Sequence, residues 1–210
     1  EADIATVQVA DTRLGLGRLA AHWRRQFQIP VIAVTGSNGK TTVKNMIAAI
    51  LNETKSGLAT QGNLNNDIGV PLTLLRLKPG DRHAVIEMGM NHPGEIDYLT
   101  RLAHPTIALI NNAAAAHLAG LGSVEAVARA KGEIYAGLAA DGIAVINADD
   151  AYANLWRELA APHRVITFGI DRPADVGAEF VLDAGGSTIH LKTPQGGISM
   201  RLSLLGRHNV

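Results

Sequence analysis

Thr35-Gly36-Ser37-Asn38-Gly39-Lys40-Thr41-Thr42 is the stretch whose residue types and spacing point most directly to chemistry. Glycines let backbone N–H groups turn around phosphate oxygens, and a following helix adds the positive end of its dipole. Lys40 can bridge terminal phosphates, and the Thr41 hydroxyl can reach a magnesium ion. Gly36, Ser37, Asn38, Gly39 and Thr42 complete the candidate cradle. The usual G-x-x-x-x-G-K-T spacing lacks its first glycine, because Val34 stands there. A plain strand–turn–helix junction is the competing reading.

Four further features lie downstream. Glu87 ends an apolar run, Ala84-Val85-Ile86, where a magnesium-holding carboxylate belongs if the run is a parallel strand beside a phosphate loop. A solvated strand end is the alternative. On a helix over 123–138, Val124, Val127, Ala128, Ile134, Tyr135 and Leu138 form one stripe, and Lys131 falls in its middle. A buried ammonium must be paired, deprotonated or chemically altered, unless the stem packs and the amine reaches water. His117 follows Asn111-Asn112 in the loop after another apolar run, a position suited to a metal or phosphate and equally to solvent. Asn63, Asn65 and Asn66 in Gly62–Pro71 suit recognition of a polar ligand, or a turn with a helix cap.

The elements that must position these residues are legible as short apolar runs alternating with helical patterns. Strands are expected at 29–34, 84–86, 107–110 and 143–146, with helices at 40–51, 94–103, 123–139 and 150–161. That order predicts an α/β fold: a P-loop-type, mostly parallel sheet flanked by helices, with ligands at the carboxyl ends of the strands. Beyond Pro173, runs at 180–182, 188–191 and 198–202 are separated by Gly185-Gly186 and Gly196-Gly197 and predict a small antiparallel β subdomain. Residues 1–27 predict a strand and an amphipathic helix with Leu16, Leu19, Ala20, Trp23 and Phe27 on its inner stripe.

Composition narrows the classes. Nineteen basic residues balance 19 acidic ones, which argues against binding nucleic acid or an anionic membrane through bulk charge. The absence of cysteine excludes disulfides, thiolate zinc and thiol catalysis, and fits a reducing cytoplasm. No apolar run approaches the roughly 20 residues of a membrane span.

The phosphate-loop octapeptide, the Gly62–Pro71 stretch, Glu87, His117, Lys131-Gly132-Glu133-Ile134 and Gly206-Arg207-His208-Asn209 together resemble the ATP-dependent Mur ligases of peptidoglycan precursor synthesis. Glu87-Met88-Gly89-Met90-Asn91-His92-Pro93-Gly94-Glu95-Ile96 is similar to the MurF type of that family. The resemblance implies an enzyme that joins D-alanyl-D-alanine to UDP-N-acetylmuramoyl-tripeptide through an acyl phosphate, with those two substrates as its partners. It implies that Lys40 and the loop amides hold ATP, that Thr41 and Glu87 hold one Mg2+, and that His117 and a carbamylated Lys131 help hold a second. Asn209 matches a segment near adenine, and Asn63, Asn65 and Asn66 would face the UDP-sugar peptide. It further implies a cytoplasmic monomer, with 1–27 the tail of an N-terminal UDP-sugar domain and 28–210 the central ATP-binding domain. The adenine segment's second Asn would lie beyond Val210, so a fragment without full activity is expected. Another Mur or folylpolyglutamate-like ligase, a P-loop NTPase switch, and a nucleotide binder without catalysis remain alternatives.

Overall fold

The computed structural model describes residues 5–115 and 121–210. In chain order the elements are α1 (Thr12–Arg24), β1 (Val31–Thr35), α2 (Lys40–Asn52), β2 (Leu58–Ala59), α3 (Gly69–Leu74), β3 (Ala84–Glu87), α4 (Glu95–Ala103) and β4 (Ile107–Ile110). They continue with α5 (Val124–Gly132), a 3-10 turn (Glu133–Gly137), β5 (Ile143–Asn147), α6 (Ala153–Ala160), β6 (Arg164–Gly169), β7 (Val176–Asp183), β8 (Gly186–Thr193), β9 (Gly196–Leu202) and a short 3-10 turn (Arg207–Asn209). Among the described residues the strands form one sheet in the order β2-β3-β1-β4-β5-β6-β7-β8-β9. All pairings through β6–β7 are parallel, and β7–β8 and β8–β9 are antiparallel.

The physical cause of the parallel part lies in its apolar runs. Every residue of β1 and of β3 is buried, as a strand covered on both faces requires. Val31 and Ala33 pack on one face into a large core with α1, α3, α4, α5 and α6; Ile32 and Val34 pack on the other with Ala48 of α2. The strand order places the carboxyl ends of β3, β1 and β4 side by side, so the segments that follow them meet at one edge.

Several details differ from the sequence-based expectation. Residues 5–10 form no strand. In α1 the buried residues are Gly17, Ala20, Ala21 and Arg24, whereas Leu19 and Trp23 are exposed. The helix approaches α4 so closely that a Cβ on Gly17 would lie 2.0 Å from the Tyr98 hydroxyl, which selects small residues for that face. Trp23 stays at the rim because its indole N–H donates to the Leu77 carbonyl at 2.9 Å. The helix expected over 123–139 ends at Gly132 and tightens into the 3-10 turn. Strand β6 adds a parallel strand beyond those expected, and β7 joins it in parallel, so the expected antiparallel ribbon lies at one side of the main sheet. No helix among the described residues is long and apolar enough to cross a membrane.

Candidate active site

The phosphate-loop candidate joins β1 to α2 and is braced by the segment after β4. Asn111 and Asn112 crowd it: a Cβ on Gly36 would sit 3.0 Å from the Asn111 Cβ, and one on Gly39 would sit 2.8 Å from its Nδ2. Gly39 also has φ 74°, a left-handed conformation that favours glycine. The Ser37 N–H donates to the Asn112 carbonyl, and the Asn38 N–H to Asn112 Oδ1, both at 2.9 Å. The Asn111 amide returns a bond to the Asn38 carbonyl at 2.9 Å, and the Ser37 hydroxyl accepts from the Ala114 N–H at the same distance. The side chain of Ser37 is therefore used in bracing the loop. The first N–H groups of α2, from Lys40 onward, have no intrahelical acceptor and face outward from the helix start.

Lys40 is half-buried and donates to the Gly36 carbonyl at 2.8 Å and the Ser37 carbonyl at 3.3 Å. Burial lowers its pKa, and the nearby Glu87 carboxylate opposes that shift. Glu87 is buried at the end of β3, and three contacts fix it. Thr41 Oγ1 donates to Oε2 at 2.9 Å, Asn65 Nδ2 donates to Oε1 at 2.8 Å, and the Glu87 N–H donates to Thr60 Oγ1 at 2.9 Å. Lys44, the buried lysine of α2, donates to the Thr60 carbonyl at 2.8 Å. A hydroxyl touching a carboxylate at a helix start is an oxygen donor set that fits magnesium. Among the described residues no three His, Asp or Glu side chains cluster, so a full ligand set would need groups from outside the protein or from other residue types.

Lys131 is fully buried in the last turn of α5, and its pKa falls to about 7, first through burial and second through the like charge of Lys40. The ion pairs of the described residues do not include it. His117 lies outside the described residues.

Beside Lys40 a cavity of about 750 Å³ is lined by Arg13, Asn65, Asn66, Asp67, Tyr98 and the 89–95 segment, among others. Asn66 also accepts from the Gly69 N–H at 2.8 Å at the start of α3, so this amide does cap a helix. Asn63 is exposed and is not among the cavity's lining residues. Asn209 bonds to the Leu205 carbonyl at 2.8 Å, in a segment tied down by the Arg207–Asp171 ion pair and by Arg207 over the Phe180 ring.

The structure thus brings Lys40, Thr41, Asn65 and Glu87 into direct contact or close approach and sets Lys131 near Lys40. Thr60, Asn111, Asn112, Arg13 and Tyr98 were not singled out as site-builders from the sequence. The asparagine pair carried a usable signal, since it immediately follows a parallel strand.

The match to the Mur ligase middle domain covers residues 34–210. The UDP-N-acetylmuramoyl-tripeptide–D-alanyl-D-alanine ligase of Escherichia coli (strain K12) is 47% identical over 213 residues, covering 99% of this chain and 46% of that protein. The chain therefore spans about half the length of the curated relatives it matches. A crystal structure of MurF from Acinetobacter baumannii superposes with a TM-score of 0.95 at 44% identity, over 100% of this chain and 46% of that one. MurF ligase from Thermotoga maritima, in complex with ADP, superposes with a TM-score of 0.82 at 26% identity, over 99% of this chain and 50% of that one. With the family match running from the end of β1 through the last residue and the relatives agreeing along nearly the whole chain, this protein belongs to the Mur ligase family.

Proposed function

We propose that the chain carries the ATP-binding centre of a ligase that joins D-alanyl-D-alanine to UDP-N-acetylmuramoyl-tripeptide in peptidoglycan precursor synthesis. The observation that carries the reading is the contact of Thr41 and Asn65 with the two oxygens of Glu87, which sets a phosphate loop and a substrate-sized cavity on one carboxylate. In this reading residues 28–210 are the central ATP-binding domain, and 1–27 are the tail of a UDP-sugar domain with its linker helix. The protein works as a monomer in the cytoplasm.

ATP would supply the phosphoryl group that turns the tripeptide carboxylate into an acyl phosphate, and Mg2+ would neutralise the phosphate oxygens. Lys40 and the N–H groups at the start of α2 hold the phosphates, on a loop shaped by Gly36, Ser37, Asn38 and Gly39 and continued by Thr42. Thr41 and Glu87 hold one Mg2+. Lys131, through its uncharged amine, could take up CO2 with loss of a proton, and the resulting carbamate together with His117 would hold a second Mg2+. Burial supports this, since an amine with a pKa of about 7 is substantially neutral at physiological pH. Asn63, Asn65 and Asn66 face the UDP-sugar peptide, and Asn209 lies toward adenine. The amine of D-alanyl-D-alanine displaces phosphate, and preorganised positive charge stabilises both steps.

The test is a substrate panel on the full-length protein, scored by amide product. ADP, phosphate and product should form together only when both UDP-N-acetylmuramoyl-tripeptide and D-alanyl-D-alanine are present. ATP turnover indifferent to both would support an NTPase switch instead.

A further inference from the structure

Glu133 does something that neither the phosphate loop nor the Lys131 chemistry uses. Helix α4 is entered from Gly94, which has φ 85° and no side chain with which to cap the helix. The first N–H groups of a helix lack intrahelical acceptors and favour a negative charge. Here the carboxylate comes from 36 to 39 residues away: Glu133 Oε1 accepts from the Gly94 N–H at 2.8 Å, and Oε2 from the Asp97 N–H at 3.2 Å.

The two segments so joined have different duties. Met90, Asn91, Pro93, Gly94 and Glu95 form one wall of the cavity beside Lys40. Glu133 opens the 3-10 turn that directly follows the Lys131 turn of α5. That turn is itself fixed to α4, because the Thr100 hydroxyl donates to the Ile134 carbonyl at 2.8 Å and Gly137 abuts the Thr100 backbone. A second carboxylate, Glu95, holds the wall from within by accepting from the Asn91 and His92 N–H groups. Removing Glu133 would leave the interior of α4 packed while freeing its first turn, where the wall begins.

We propose that Glu133 is a positioning residue for the acceptor: by capping α4 it sets the 90–95 wall at a fixed distance from the Lys131 segment, and so tunes recognition of the UDP-sugar tripeptide and not of ATP. The proposal rests on the ligase reading above. It is tested in the full-length enzyme with Glu133→Ala and Glu133→Gln. The Ala variant should raise the KM for UDP-N-acetylmuramoyl-tripeptide roughly fivefold to tenfold, the scale of one lost helix cap expressed in binding, with the KM for ATP changed less than about twofold. The Gln variant, which keeps one acceptor oxygen, should recover part of the loss. Amide hydrogen exchange at Gly94 and Asp97 should quicken in the Ala variant and less in the Gln variant. Equal shifts in both KM values, or none in either, would overturn the positioning role. Unchanged exchange at Gly94 and Asp97 would overturn the clamp itself. Failure of the unmodified enzyme to make the amide product would instead remove the ligase reading, and the exchange result would still decide the clamp.

Discussion

Asn65 Nδ2 donates to Glu87 Oε1 at 2.8 Å, while the Asn65 carbonyl accepts from the Gly89 N–H at the same distance. One asparagine thus holds both the side chain that ends β3 and the backbone two residues beyond it. A Cβ on Gly89 would lie 2.9 Å from Asn65 Oδ1, so the amide is wedged against that backbone.

Replacing Asn65 by Leu keeps the volume and removes the donor to Glu87. Hydrogen bonds to charged groups contribute about 1.5–3 kcal/mol, so Mg2+-nucleotide affinity should fall at least tenfold. Calorimetric titration of the Leu variant reads this directly. An unchanged affinity would show that Asn65 does not orient the carboxylate.

If Lys131 carries the proposed carbamate, Lys131→Ala should abolish ligation and regain part of it when short carboxylic acids are added, because they can replace that group's oxygens. Lys131→Met should fold at least as stably as the parent, since it removes the cost of burying an amine. Full activity in the Ala variant would return Lys131 to the role of a packed stem.

Arg24 is a structural cation. It is buried between α1 and α4, where its guanidinium donates to the carbonyls of Ala103 at 2.9 Å, Phe27 at 2.7 Å and His104 at 3.4 Å. These carbonyls include the C-terminal end of α4, where the helix dipole favours positive charge. Arg24→Ala strands three acceptors and should cost about 2–4 kcal/mol in urea unfolding. A change below about 1 kcal/mol would mean that water replaces the guanidinium at little cost.

His83 gives the pH dependence a sign. Its ring is buried against Gly57, Nε2 has no hydrogen-bond partner among the described residues, and burial lowers its pKa while Asp81 opposes the shift. The folded state therefore binds this proton less readily than the unfolded state. Stability contributed by the neutral ring is complete above the ordinary histidine pKa of about 6.5 and is lost as pH falls from there through the lowered folded value. In denaturant midpoints measured from pH 7.5 to 5, His83→Leu should flatten that acid slope. An identical slope in both proteins would assign the acid sensitivity elsewhere.

The contrast between residues that were legible in the sequence and those that were not follows from contact range. Gly36 to Thr42 are contiguous, so a strand, a tight loop and a helix start could be recognised from local spacing alone. Lys131 was conspicuous because helical periodicity is also local, and it placed a charge on an apolar stripe that proved buried. Alternating apolar runs likewise determined a parallel sheet. Around α1 periodicity found Ala20 and Phe27, which pack on the core, but it put Leu19 and Trp23 inside and passed over Gly17 and Ala21, because hydrophobicity does not register how closely α4 approaches.

The remaining architecture depended on strand order. Thr60, Asn65, Asn112 and Glu133 reach partners between 22 and 74 residues away. Their partners are adjacent only because β2, β3, β1 and β4 lie side by side in an order unlike that of the chain. By itself the sequence determined the strand–loop–helix junction at Gly36–Thr42, the anomalous lysine and the α/β class, since each arises from neighbours along the backbone. Only the tertiary structure decided which side chains brace the loop, hold Glu87 and cap α4, because those choices belong to the packing of segments that local chemistry leaves free.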